Sequence, residues 1–169
     1  MYPAPFDYYR AESTEEASEL LARHEGSKIL AGGHSLVPAM KYRVAQPASL
    51  VDIGRLDLNY IKAADGLLTI GALSTHATVA ASDLVRHHCA IMAQGAAGIG
   101  DQMVRNRGTI GGSLAHSDPQ ADYPTLVTCV GATIKTSSGK SYAASVFFKD
   151  LLTTALEGND IITEIVIPA

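Results

Sequence analysis

Two glycine-rich tracts hold the residues of this sequence best suited to chemistry: Ala31-Gly32-Gly33-His34-Ser35-Leu36 and Thr109-Ile110-Gly111-Gly112-Ser113. In each, a hydroxyl residue follows a Gly-Gly pair, immediately or one position on. Glycine has no Cβ, so it admits φ > 0 and lets main-chain N–H groups approach a ligand. Successive N–H groups turned one way form an anion-binding nest, which suits phosphate. Ser35, Thr109 and Ser113 add hydroxyl donors without bulk. A pyrophosphate has two phosphates and matches two such tracts. Neither tract is a Walker A loop, because no Gly-Lys-Ser/Thr follows, and neither fits the Gly-x-Gly-x-x-Gly fingerprint. The duller use of a Gly-Gly pair is an ordinary tight turn.

Other reactive constellations are missing. The histidines, at 24, 34, 76, 87, 88 and 116, are scattered. None forms the i, i+4 pair of a helical metal site, so no metal is expected. Cys89 and Cys129 are too few for an iron–sulfur cluster, which takes about four cysteines. No Gly-x-Ser-x-Gly elbow frames a nucleophile. Arg105 and Arg107 could partner phosphates, although surface or intersubunit ion pairs are their commoner fate.

Composition narrows the partners. A net charge of −4 over 169 residues argues against nucleic acid, which wants a basic face. Two cysteines make no disulfide framework and fit a reducing compartment. The opening Met1-Tyr-Pro-Ala-Pro-Phe lacks the basic and apolar regions of a signal peptide. No apolar run is long enough for membrane insertion. The expectation is a cytoplasmic protein long enough to bury one or two small cores.

The elements that must position the tracts alternate early and are strand-rich later. Ser13 and Glu16 form a capping box ahead of Ala17, Leu20, Leu21 and His24 at helical spacing. Gly26 ends that helix, and Lys28–Ala31 reads as the strand delivering the first tract. Ser49–Ile53 reads as another. Asp65-Gly66 between two β-rich runs is a two-residue hairpin signal. Ser82 caps a helix expected over residues 83–98. Residues 132–136 and 141–146 pair as a second hairpin, and 161–167 read as a closing strand. The pattern predicts an α+β domain in two lobes, residues 1–54 and 55–169, with one glycine tract on each.

The stretches Ile29–Leu36, Leu50–Ile53, Ile70–Thr75, Gly100–Ser113, Asp118–Asp122 and Ile161–Pro168 resemble the FAD-binding medium subunit of molybdenum hydroxylases. That family includes carbon monoxide dehydrogenase and xanthine dehydrogenase. The motifs run in the family's order, and His34-Ser35 and Ser113-Leu114 are most similar to the carbon monoxide dehydrogenase type. The resemblance implies an FAD fold of the vanillyl-alcohol-oxidase type, with the cofactor extended between the lobes. It implies contacts from Ile29, Leu30, Ala31, Gly32, Gly33, His34, Ser35 and Leu36 in the first tract. In the second it implies Thr109, Ile110, Gly111, Gly112 and Ser113. It also implies Ile99 and Ile162 at the flavin, and Asp122 accepting hydrogen bonds near the ribityl–pyrophosphate region. For Ile99 and Ile162 core packing is the alternative, and for Asp122 a helix cap near Tyr123.

By the same resemblance, a molybdopterin-containing large subunit and an iron–sulfur small subunit are the partners. Electrons from substrate oxidised at molybdenum then pass through the clusters to FAD and an outside acceptor. Medium subunits continue beyond the Ile-Val-Ile-Pro strand into a C-terminal domain, which this sequence does not include. Two rival readings are a stand-alone or truncated FAD-binding domain with no redox role, and a flavin oxidase acting directly on a small substrate. The oxidase usually tethers flavin through a His or Cys, and His34 is the one loop histidine placed for that.

Overall fold

Ser13 accepts the Glu16 amide at 3.1 Å and caps α1 (Thr14–Arg23). The Glu16 carboxylate reaches the Glu12 amide (2.7 Å) instead of that of Ser13, so only half of a capping box forms. In the computed structural model, which describes residues 1–168, α1 is the crossover between two parallel strands. β1 (Asp7–Arg10) and β2 (Ser27–Leu30) both pair in parallel with β3 (Ser49–Asp52), giving the order β1-β3-β2. α1 turns Ala17 into a small core with Ala11, Val51 and Ile53, which Leu73 and Ile161 complete from the rest of the chain. The first glycine tract leaves the C-terminal end of β2 and runs into α2 (Leu36–Lys41). Pro38 lies in the first turn of α2, where its missing N–H breaks no helical bond.

A second, antiparallel sheet follows. β4 (Ile61–Ala64) and β5 (Leu67–Gly71) turn at Asp65 (φ 52°) and Gly66 (φ 72°), two left-handed residues in succession as a type I′ hairpin demands. β6 (Thr133–Thr136), β7 (Ser141–Ala143) and β10 (Ile162–Pro168) complete the order β4-β5-β10-β6-β7. The last strand thus lies at the centre, and its Ile165 and Ile167 are buried with Leu68, Ile70 and Ile134. α3 (His76–Ala81), α4 (Asp83–His88), α5 (Ala90–Gly98) and α8 (Asp122–Cys129) supply Val79, Val85, Met92 and Val127 to the same core. Between α5 and α8 lie α6 (Gln102–Arg105) and α7 (Ile110–His116), and α9 (Ala144–Phe147), β8 (Phe148–Asp150) and β9 (Thr153–Thr154) precede β10.

Two sequence expectations fail here. The helix expected over 83–98 breaks at Cys89 (φ −152°, ψ 73°), which ends α4 with a 2.8 Å bond to Val85 O and opens α5. Ser82 nevertheless caps α4, accepting the Val85 amide at 3.3 Å. The strand expected over 141–146 stops at Ala143, and the chain coils into α9, which turns Phe147 fully into the core. Burial of one large ring decides that turn against the β propensity of Val146.

Candidate functional site

The first tract is a bend with unspent donors. Gly33 lies at φ 75°, and Val37 donates to its carbonyl at 2.9 Å to start the helical turn. Among the described residues, the amides of Gly33, His34, Ser35 and Leu36 donate to no protein acceptor, and the Ser35 hydroxyl makes no cap bond. The His34 ring is exposed, and its Nδ1 lies 3.3 Å from the Gly32 carbonyl, turned back on its own loop. Ile29, Leu30 and Ala31 are half-buried behind the bend; Ile29 and Ala31 pack on the small core.

The second tract is not the N–H nest expected from the sequence. Ile110, Gly111, Gly112 and Ser113 lie inside α7, and their amides are already bonded within the protein. Ile110 donates to Ser74 O (3.0 Å), Gly111 to Ala72 O (2.9 Å), Gly112 to Thr109 Oγ1 (3.2 Å) and Ser113 to Thr109 O (3.0 Å). Glycine is needed at 111 for packing: a Cβ there would lie 2.6 Å from Ala72 Cβ and 2.7 Å from Ala72 O. What this tract can offer a ligand is its hydroxyl residues. Thr109 accepts the Gly112 amide as a helix cap, which leaves its O–H proton unspent, and Ser113 brings a second hydroxyl.

The two tracts touch. A Cβ on Gly32 would overlap the Arg107 carbonyl oxygen and come within 2.9 Å of Gly108 Cα. One on Gly112 would lie 3.9 Å from Ala31 Cβ. The unspent amides at 33–36, the Ser35 hydroxyl and the Ser113 hydroxyl are thus carried by the two segments whose main chains meet here. Such a set of donors fits the oxygens of a pyrophosphate, whose negative charge strengthens each bond.

Asp122 is exposed and opens α8 from its first turn, but Ala121 is the N-cap and receives no side-chain bond. The capping alternative for Asp122 therefore fails, and its carboxylate makes no hydrogen bond among the described residues. Asp118 is instead used locally, accepting the Gln120 amide at 2.9 Å. Ile162 is buried in the main core, with Ile99 half-buried at its margin. Arg105 donates to the Ile99 and Gly100 carbonyls at 3.0 and 2.9 Å, bracing that corner, while Arg107 is exposed.

Sequence reasoning missed His76. Thr75 caps α3, accepting the Thr78 amide at 3.1 Å, and pairs with Thr109 across an isolated bridge. His76 then lies buried under Gly108, whose Cβ would sit 2.5 Å from His76 Nε2. Burial, and then the charge of His34 nearby, pushes the His76 pKa down to about 4. The signal available was Thr75 three residues before Thr78, the pattern of an N-cap. Among the described residues no three His, Cys, Asp or Glu gather where they could hold a metal. No helix there is long and apolar enough to cross a membrane.

Comparisons with known proteins agree over the whole chain. A family model described as the FAD binding domain in molybdopterin dehydrogenase matches residues 4–169. The chain is 40% identical to the glyceraldehyde dehydrogenase medium chain of Sulfolobus acidocaldarius, an alignment covering 99% of this chain and 61% of that protein. It is 39% identical to the carbon monoxide dehydrogenase medium chain of Hydrogenophaga pseudoflava, covering 100% and 61%. A solved structure of the carbon monoxide dehydrogenase from Hydrogenophaga pseudoflava, lacking the Mo-pyranopterin moiety of its molybdenum cofactor, matches with a TM-score of 0.97 at 40% identity, covering 100% and 61%. Quinoline 2-oxidoreductase from Pseudomonas putida 86 matches at 0.95 with 35% identity, covering 99% and 60%. The chain spans about six-tenths of the length of these relatives.

Proposed function

The chain belongs to the family of FAD-binding domains of molybdopterin dehydrogenases, and from that premise we propose that it is the flavin-carrying, electron-transfer part of a molybdenum hydroxylase of the carbon monoxide dehydrogenase type. Its fold is the α+β FAD-binding architecture of those enzymes, and the cofactor is FAD. A molybdopterin-containing large subunit and an iron–sulfur small subunit are the proposed partners. Medium chains of carbon monoxide and glyceraldehyde dehydrogenases among the relatives support this. Two free cysteines suit a cytoplasmic setting. A flavin, when bound, takes two electrons and passes them on singly or in pairs.

One observation carries the binding reading: four consecutive unspent amides that directly follow Gly32, where the first tract meets the chain leading into the second. We assign the pyrophosphate to the amides of Gly33, His34, Ser35 and Leu36 and to Ser35 and Ser113. Thr109 and Ile110 to Gly112 hold Ser113 in place, and Gly32 sets the spacing between tracts. Asp122, unpaired and a few residues past α7, accepts from sugar-alcohol hydroxyls. Ile99 offers an apolar edge to the ring, and Ile162 backs it from the core. The lobes divide near residue 54, with the site at their junction.

The test is selectivity for the phosphate-bearing part. Fluorescence titration of the flavin-free chain should show FAD binding at least a hundredfold tighter than riboflavin, since several charge-assisted bonds of about 1.5–3 kcal/mol each are lost with the pyrophosphate. Equal affinities would remove the amide cradle from the site. The subunit reading is tested separately: flavin reduction by substrate should require the large and small subunits.

A further inference from the structure

Two buried polar atoms behind the second tract lack protein partners: His76 Nδ1 and the Tyr123 hydroxyl. His76 is 5% exposed and Tyr123 fully buried. Their rings face one another with centroids 5.3 Å apart and planes tilted by 50°, yet the two atoms do not bond directly. A buried hydroxyl or ring nitrogen without a partner loses the whole of its hydration. The two orphaned atoms are carried by neighbouring rings and not by separate parts of the core.

We propose that His76 Nδ1 and the Tyr123 hydroxyl together bind one internal water, and that His76, fixed this way, is a positioning residue for Gly108 and Thr109. An imidazole nitrogen and a phenol each give or take a hydrogen bond. One water, with two donors and two acceptors, satisfies both, as buried waters commonly do for orphaned polar groups. The location gives the water a consequence. His76 donates its main-chain N–H to Gly108 O at 3.0 Å, and its Nε2 would lie 2.5 Å from a Cβ added at Gly108. Tyr123 directly follows Asp122 on α8. The water therefore ties the segment bearing Asp122 to the segment bearing Thr109 and Ser113. The positioning role rests on the FAD-binding reading; the water site does not.

Tyr123→Phe separates the possibilities, because it deletes one hydroxyl and preserves the ring. With a bridging water, the melting midpoint of the purified chain falls by about 2–4 °C, since the water and His76 Nδ1 lose a partner. Without it, the substitution removes an unsatisfied group and the midpoint stays or rises, which overturns the site. Nitrogen NMR of the imidazoles should show a hydrogen-bonded His76 Nδ1 whose shift changes in Tyr123→Phe; an unchanged shift also counts against the water. If the parent chain binds FAD, Tyr123→Phe should weaken that binding two- to fivefold, and an unchanged affinity overturns the positioning role. Failure of the parent chain to bind FAD strikes the functional reading and leaves the midpoint and NMR tests standing.

Discussion

Gly32 lies so close to Arg107 that a single methyl group on it would overlap the Arg107 carbonyl oxygen. The first tract is thus docked on the main chain just ahead of the second, and the spacing of the two tracts is set by that contact. Gly33, one residue on, is glycine for another reason: it bends the chain at φ 75°, where an L side chain costs roughly 1–2 kcal/mol.

These two glycines should respond differently to alanine. Gly32→Ala must push the tracts apart, so it should lower stability by about 1–3 kcal/mol and abolish FAD retention. Gly33→Ala should lower stability by about 1 kcal/mol and weaken FAD more modestly, because its amide remains. Denaturant melts and the flavin content of the purified proteins check both. Wild-type melting with full FAD in Gly32→Ala would show that the two tracts do not meet as described.

Asp118 and Asp122 give opposite expectations in two assays. Asp118 accepts the Gln120 amide at 2.9 Å, so Asp118→Ala should cost about 1 kcal/mol of stability and leave FAD affinity within twofold. Asp122 makes no such bond, so Asp122→Ala should leave the flavin-free chain as stable as before. Its loss should weaken FAD by about thirtyfold, the equivalent of about 2 kcal/mol for one charge-assisted bond. Equal effects of the two substitutions on flavin titration would refute the assignment of Asp122.

His76 makes stability depend on pH. Its pKa is pushed down to about 4 from 6.5, by burial first and the His34 charge second. Between those values the unfolded chain binds a proton that the folded chain refuses. The contribution is therefore complete above about pH 6.5, declines as the pH falls, and is gone below about pH 4. Its full size is about 3 kcal/mol, with about 2 kcal/mol lost between pH 7 and pH 5. Asp160 and Glu164, both held below the usual carboxylate range, add losses of the same sign only at lower pH. Urea unfolding of the parent chain and of His76→Leu at pH 7 and pH 5 isolates the histidine: the variant should lack most of that decline. Parallel declines would place the titration elsewhere.

Elements with local punctuation were legible in the sequence. The Ser13 cap, the Asp65-Gly66 turn and the Ser82 cap each act through one or two neighbours, and each stands where its residues placed it. The short helices were not legible. α6, α7 and α9 have 4, 7 and 4 residues, too few to form without tertiary contacts. α7 even carries Gly111 and Gly112, poor helix formers, because the Ala72 backbone leaves no room for a side chain at 111. That long-range packing is also why the second tract looked like an anion nest and proved to be a helix with spent amides. The first tract kept its donors because Gly33 turns the chain out of β2 before α2 begins. His76 was invisible as a site residue because its meaning lies in Gly108 and Tyr123, both distant in sequence.

The free hydroxyls on the two tracts provide the sharpest test of a shared pyrophosphate. Ser35 and Ser113 make no side-chain hydrogen bond among the described residues, so replacing either with alanine should barely change folding. Each substitution should weaken FAD about five- to tenfold, the effect of about 1–1.5 kcal/mol, and leave riboflavin binding unaltered. If each serine serves its own phosphate oxygen, the double variant should lose the product of the two factors, because independent contacts add in free energy. A double variant no worse than either single one would mean that both hydroxyls share one oxygen, still at a common site. Titration of the four proteins with FAD and riboflavin gives the cycle directly. Undiminished FAD affinity in both single variants would remove the pyrophosphate from the junction and return the second tract to a purely packing role.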